Sequence, residues 1–243
     1  MTPGTGAAGL WTTPVRGRVA LSALAWVLVY GVGLVVVVLL GLLGGRAAGT
    51  ARPDTALLAV VVLAGTAVAA LVAVRVHLLR RRGLAWGDVG LRRPKPSPLH
   101  LRWQIPGVMA GGAVAPAIVL TPLGGPADPT DAAIVDLATG GPAFVLLGML
   151  TVAVLVPVAE EVVFRGIVLP ALRARLHATA GLASAGAVFA AVHLVPPALP
   201  YLLVVGVSLC VMAEWYRSIV PGIVLHGVNN AVVLGGLVAA GAG

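Results

Sequence analysis

Long apolar runs separated by short charged stretches are the feature that most constrains how this chain folds. The runs 19–44 and 55–74 contain no charged residue at all. Apolar runs of roughly 18 or more residues are typical of helices that cross a bilayer. Charged residues make up only 10% of the chain, too few to cover a water-facing surface. The sequence therefore predicts an integral membrane protein.

Seven segments of the chain are predicted to be membrane spans. Their approximate bounds are 19–44, 55–79, 103–123, 142–173, 178–194, 201–215 and 218–240. A helix satisfies its own backbone hydrogen bonds, as lipid requires. We therefore expect an all-α integral membrane protein, a polytopic bundle of about seven transmembrane helices. The first run is longer than the apolar core of a signal peptide and is predicted to be a retained span.

The basic residues predict the orientation of these spans. Net charge is +8, but the arginines lie between apolar runs rather than on one soluble face, so nucleic-acid binding is not expected. By the positive-inside rule the N-terminus and the basic segment 80–102 should be cytosolic, together with Arg173, Arg175 and Arg217. Leu84, Trp86 and Val89 in that segment are expected at the membrane interface.

Other charged residues refine this topology. A loop with Asp128, Asp131 and Asp136 and the C-terminus should lie outside, whereas Arg46 and Arg52 oppose the rule. Glu214 beside Arg217 suggests a charge pair at the interface. With Lys95 as the single lysine, the arginine-rich composition suggests a GC-rich bacterial genome, and hence a bacterial plasma membrane.

Three charged residues stand inside the fourth apolar span. A charge at the bilayer centre costs roughly 2.5–3.5 kcal/mol on insertion scales, so each needs a partner or a water-filled cavity. Glu161 and Arg165 are i, i+4 neighbours and are expected to pair. Glu160 points about 100° away and is left over. A desolvated carboxylate of this kind suits a general base, whereas a simple ion-pair clamp would leave Glu160 without a role.

Two histidines and an asparagine fall at overlapping depths in other spans. At a rise of 1.5 Å per residue, Glu160 and Asn230 lie about 20 Å from the cytosolic edge, His193 about 24 Å and His226 about 13 Å. Three helices would thus bring these side chains to one level. His226 and Asn230 share a helix face and could donate hydrogen bonds to an oxyanion, whereas Asn229 points elsewhere.

These residues form three ordered signatures that resemble a known family. They are EEVVFR from Glu160, FAAVH ending at His193, and HGVNN from His226 to Asn230. The chain is similar here to the CAAX protease and bacteriocin-processing (Abi) family of intramembrane endopeptidases. Ser218 and Pro221 ahead of the third signature also fit. The resemblance covers about residues 143–237.

The resemblance implies a role for each matching residue. Glu160 would polarise the attacking water with the assistance of His193. His226 and Asn230 would stabilise the tetrahedral oxyanion, and the pair of Glu161 with Arg165 would shape the site. The expected activity is hydrolysis of peptide bonds in membrane-associated substrates.

The sequence leaves open whether the expected reaction needs a metal ion. Glu160, His193 and His226 could bind zinc in the three-ligand manner of catalytic sites. The HExxH motif is absent, however, and Gly227 follows His226 where a zinc protease of that type has its glutamate. The metal-free reaction is therefore favoured, with zinc as the alternative.

Three domains and two other functions complete the hypothesis. Residues 1–17 are expected to form a disordered cytosolic tail, 18–141 the N-terminal transmembrane helices with the basic loop 80–102, and 142–243 the catalytic core. The alternatives are a non-catalytic membrane protein of the bacteriocin-immunity type and a transporter with an intramembrane proton relay.

The predicted topology can be tested with single cysteines, after replacement of the lone Cys210. A membrane-impermeant thiol reagent added from outside should miss a cysteine at Arg92 and label one at Gly241. The opposite labelling pattern would rule out the predicted orientation.

Overall fold

The computed structural model describes residues 15, 17–47, 54–120, 135, 138–139 and 141–241. Regular structure in these residues is helical, and none of them lies in a strand. The predicted all-α polytopic fold is confirmed. Apart from Val15 and Gly17, the expected N-terminal tail lies outside the described residues, and so does the loop with Asp128, Asp131 and Asp136.

Seven helices longer than ten residues follow one another in the described part of the chain. They are α1 (Gly17–Ala47), α2 (Thr55–Arg80), α3 (Leu101–Leu120), α4 (Pro142–Arg173), α5 (Ala178–Val192), α6 (Leu199–Tyr216) and α7 (Val220–Gly241). Between α2 and α3 the chain makes two short 3-10 turns, Trp86–Val89 and Pro98–His100.

Six of these helices are long and apolar enough to cross a membrane, and α5 is shorter. Its 15 residues rise about 22 Å, against a hydrocarbon thickness of about 30 Å. The helix ends because His193 caps it and Leu194 takes a left-handed backbone conformation, with φ of 55°. The predicted fifth span is therefore a short apolar helix, with His193 at its C-terminal end.

Glycines allow α5 and α6 to pack backbone against backbone. A Cβ atom added at Gly186 would lie 2.8 Å from the backbone nitrogen of Val207. One added at Gly206 would lie 2.9 Å from the carbonyl oxygen of Gly186. Lipid supplies no hydrophobic force between helices, so such close packing at small residues is a main source of their association.

The basic segment packs against the helices instead of lying only at the membrane surface. Val89 is fully buried in a core cluster that also contains Val15 and Val162. Leu84 and Trp86 are partly buried against the same cluster. Val89 is therefore covered by protein, and the position of this segment at the membrane interface stays a prediction.

Hydrogen bonds join this segment to the turn between α6 and α7. The backbone N–H of Ile219 donates to Gly90 O over 2.9 Å, and Arg92 Nε donates to Arg217 O over 2.7 Å. Segment 80–102 and Arg217, both predicted to be cytosolic, therefore share one end of the bundle.

An ion pair closes the same end of the bundle between α4 and α6. Arg173 Nε donates to Glu214 Oε1. The predicted pairing of Glu214 with Arg217 was wrong: Arg217 takes a left-handed backbone conformation at the end of α6, with φ of 51°. The partner of Glu214 instead comes from 41 residues earlier in the chain.

Substitution of Gly186 by valine should destabilise the protein. The new Cβ would meet backbone atoms of Val207 that cannot rotate away, and we expect a loss of roughly 1–3 kcal/mol. Thermal unfolding in detergent measures it. Gly107→Val is the matched control, because a Cβ at Gly107 meets nothing within 4 Å. Equal melting temperatures for the two variants would contradict the proposed close packing.

Candidate active site

The buried ion pair predicted on α4 is present and reaches two further helices. Arg165 Nη1 donates to Glu161 Oε1 over 2.7 Å, and both side chains are fully buried. Arg165 Nη2 donates to the Gly206 carbonyl oxygen on α6 over 3.0 Å. The guanidinium also lies 4.4 Å from the ring centre of Phe189 on α5. One arginine thus holds α4, α5 and α6 together.

The imidazole of His226 lies between the two glutamates of α4. His226 Nδ1 is 3.1 Å from Glu161 Oε1, and because an ionised carboxylate only accepts, Nδ1 is the donor. His226 Nε2 is 3.6 Å from Glu160 Oε2, just beyond hydrogen-bond distance. From the sequence, Glu161 was expected to pair only with Arg165. The structure shows that Glu161 also fixes the orientation of His226.

Glu160 differs from its neighbour in having no firm partner. Its side chain is 25% exposed, against 0% for Glu161. Its Oε2 atom is buried and has no hydrogen-bond partner among the described residues. The sequence prediction that Glu160 is left over from the ion pair agrees with this geometry.

His193 is held by the helix that it terminates. His193 Nδ1 is 2.7 Å from Phe189 O, which can only accept, so Nδ1 carries a proton. A neutral ring then has an unprotonated Nε2. The Phe189 ring packs between the two histidines, with its centre 4.7 Å from that of His193 and 5.7 Å from that of His226.

A proline in α4 frees the backbone carbonyl to which Asn230 binds. In the wide helical turn Thr151–Leu155, the Val156 N–H donates to Thr151 O instead of Val152 O. The next residue, Pro157, has no N–H to offer. Asn230 Nδ2 fills this vacancy by donating to Val152 O over 2.9 Å. The proline therefore determines where α7 contacts α4.

Two glycines let α7 approach α4 closely on either side of His226. A Cβ atom at Gly227 would lie 2.4 Å from Ala153 O, and one at Gly222 would lie 2.9 Å from Glu161 Oε2. A larger side chain at Gly227 would push the two backbones apart, and one at Gly222 would displace the Glu161 carboxylate. The contact of His226 with both glutamates depends on this approach.

The four predicted catalytic residues line one cavity of about 450 Å³. Glu160 comes from α4, His193 from the end of α5, and His226 and Asn230 from α7. Most of the remaining lining is aliphatic, from residues such as Val156, Leu202 and Val233. The convergence expected from helix depth is therefore present in the structure. Glu161 and Arg165 do not line the cavity; they lie behind it.

Two polar cavity residues were not predicted. Asn229 was expected to point elsewhere, and Tyr201 was not considered. Both line the cavity, and the Tyr201 hydroxyl donates to Asn229 Oδ1. An aromatic residue at the start of a span usually indicates an interfacial anchor. No sequence signal places Tyr201 beside α7, because that contact depends on how α6 and α7 pack.

The proposed zinc ligands do not form a ligand set in this geometry. Among the residues that the structure describes, no three His, Cys, Asp or Glu side chains are grouped closely enough to hold a metal ion. Glu160 and His226 approach each other, and the Nδ1–H of each histidine is held by Glu161 or by a carbonyl oxygen, which leaves Nε2 as the ring atom free for a ligand.

Comparison with known families agrees with the signatures. The family model for type II CAAX prenyl endopeptidase Rce1-like proteins matches residues 142–232. This range contains all the signature residues described above and extends from the start of α4 into α7. No curated protein and no solved structure matches the chain. Residues 142–232, fewer than half of the chain, are therefore similar to the Rce1-like CAAX protease family.

Proposed function

We propose that this protein is an intramembrane endopeptidase that hydrolyses peptide bonds of membrane-associated substrates with water activated by Glu160 and His193. The observation that carries the proposal is the single cavity lined by Glu160, His193, His226 and Asn230. Peptide hydrolysis needs a base for the attacking water and hydrogen-bond donors for the oxyanion. This cavity offers candidates for both.

Glu160 is the proposed general base. It is the partly exposed carboxylate of the pair, whereas Glu161 is committed to Arg165 and His226. Glu160 also lines the cavity, where it can meet the attacking water, whereas Glu161 lies behind it.

His193 assists the base through its second ring nitrogen. The hydrogen bond from Nδ1 to Phe189 O leaves Nε2 as the acceptor of a neutral ring. Both His193 and Glu160 line the cavity. A water between them could therefore be polarised by two acceptors.

His226 is the proposed positive donor to the oxyanion. Its Nδ1–H is used by Glu161, so a second donor at Nε2 requires the ring to carry both of its protons. The imidazolium donates one N–H to Glu161, and its Nε2–H, beside Glu160, is available to charge that develops on the substrate.

Asn230 is the proposed second donor. One N–H of its amide is used by Val152 O, which leaves the other for the oxyanion. Two donors from one helix face, held before substrate binds, need no reorganisation during the reaction.

The lining of the cavity suggests the kind of substrate, and the distribution of arginines suggests the orientation in the membrane. The mostly aliphatic lining suits apolar segments of a membrane-associated peptide. We further propose that the end of the bundle with segment 80–102 faces the cytosol of a bacterium, because its arginines favour that side.

Replacement of Glu160 by glutamine should abolish cleavage of peptide reporters by the purified protein. Loss of a general base typically lowers the rate by about 10²–10⁴-fold. The melting temperature should stay close to that of the wild type, since Glu160 makes no strong contact. Full activity in this variant would remove Glu160 from the mechanism.

Glu161→Gln and Glu214→Gln are matched controls that make the same chemical change. Glu161→Gln leaves Arg165 buried without its charge partner and should cost about 3–5 kcal/mol of stability. Glu214→Gln removes only the ion pair with the partly exposed Arg173, so activity should persist. A melting temperature lowered more by Glu160→Gln than by Glu161→Gln would contradict this division of roles.

Metal chelation tests the proposed metal-free chemistry. A strong chelator should leave the cleavage rate unchanged, and added zinc should not raise it. Elemental analysis of the purified protein should give far less than one equivalent of zinc. A stoichiometric zinc whose removal silences the enzyme, and whose return restores it, would overturn the metal-free mechanism and favour the zinc alternative.

A further inference from the structure

A series of hydrogen bonds crosses three helices and ends beside the cavity. The Tyr201 hydroxyl on α6 donates to Asn229 Oδ1 on α7. Asn229 Nδ2 donates to Asn230 Oδ1 over 3.3 Å, and Asn230 Nδ2 donates to Val152 O on α4 over 2.9 Å. Tyr201, Asn229 and Asn230 all line the cavity.

The last acceptor fixes the direction of the whole series. A backbone carbonyl can only accept, so the nitrogen of Asn230 must face Val152 O. Its oxygen then faces Asn229 and requires the nitrogen of that amide. The oxygen of Asn229 in turn faces Tyr201, whose hydroxyl must donate. Each of the two amides thus has one orientation that satisfies its neighbours.

We propose that Tyr201 and Asn229 are positioning residues that keep the Asn230 amide turned so that an N–H, not its oxygen, is available to the oxyanion. This inference deepens the proposed function and rests on the role given there to Asn230. Without Asn229 as a donor, Asn230 Oδ1 would lose its partner beside the polar side chains of the cavity. Water or substrate could then compete for it and turn the amide away.

The position of Tyr201 depends on a part of the chain outside the family match. A Cβ atom added at Gly112 on α3 would lie 2.9 Å from ring atoms of Tyr201. Gly112 is buried, and its missing side chain provides the space that the phenol ring occupies. α3 therefore supports the site through this ring, although the family match begins only at residue 142.

The sequence makes a direct spectroscopic test practical, because Asn229 and Asn230 are its only two asparagines. Protein labelled with ¹⁵N-asparagine gives two pairs of side-chain amide signals and no others of that type. In Tyr201→Phe both pairs should shift and exchange faster with water. The matched control is Tyr216→Phe, which removes a hydroxyl from the same helix where it donates to Gln104. That control should leave both asparagine pairs unchanged.

Cleavage kinetics test what the orientation does. Tyr201→Phe should lower kcat about tenfold, less than the loss of an oxyanion donor itself, while KM changes little. Asn229→Asp keeps the oxygen that accepts from Tyr201 but replaces the N–H donor to Asn230 Oδ1 with a second oxygen. This variant should lower kcat at least as much as Tyr201→Phe does. Because both variants break the same series, the double variant should be no slower than Asn229→Asp alone.

The outcomes separate this inference from the proposed function. If Tyr201→Phe matches Tyr216→Phe in its asparagine signals and in kcat, the positioning role is wrong while the peptidase stands. Additive losses of kcat in the double variant would likewise contradict a single series. If the wild type cleaves no peptide, the proposed function fails, and the amide spectra still decide whether Tyr201 orients the two asparagines.

Discussion

Arg165 is an arginine that the surrounding lipid cannot hydrate, so the protein must neutralise it from within. Its side chain is fully buried. Its positive charge is compensated by Glu161 on its own helix, by Gly206 O on α6 and by the ring of Phe189 on α5. Breaking a buried pair costs several kcal/mol, so this set of contacts strongly favours one arrangement of helices. The relative positions of α4, α5 and α6, and hence the shape of the cavity, depend on it.

The same ion pair explains why two adjacent glutamates behave differently. Successive residues on a helix are turned by about 100°, so only one of the two can face Arg165. Glu161 takes that direction and can also receive the His226 Nδ1 proton. Glu160 lines the cavity, and its side chain is 25% exposed. A structural carboxylate and a chemically available one thus arise from neighbouring positions without any difference in residue type.

Much of this could be predicted from the sequence, and what could not has a common cause. Helix periodicity was enough to predict the bond between Glu161 and Arg165, and helix depth was enough to bring His193, His226 and Asn230 to the level of Glu160. Contacts set by the rotation of one helix against another were missed. The hydrogen bond from His226 to Glu161 and the one from Tyr201 to Asn229 are of this kind. The partner of Glu214 was also mistaken, since proximity in sequence favoured Arg217 while packing brings Arg173.

Pro157 connects the backbone of α4 to the chemistry at α7. A carbonyl without a hydrogen bond is costly in a membrane, because no solvent can take the place of the missing donor. The wide turn Thr151–Leu155 and the proline together leave Val152 O without a backbone donor, and the Asn230 side chain supplies the missing hydrogen bond. An irregular turn in α4 thereby specifies the rotation of α7. That rotation carries His226, one turn earlier, towards the glutamates, while Gly227 allows the backbones to meet. A defect that would destabilise an isolated helix is in this bundle what brings the proposed oxyanion donors to the proposed base.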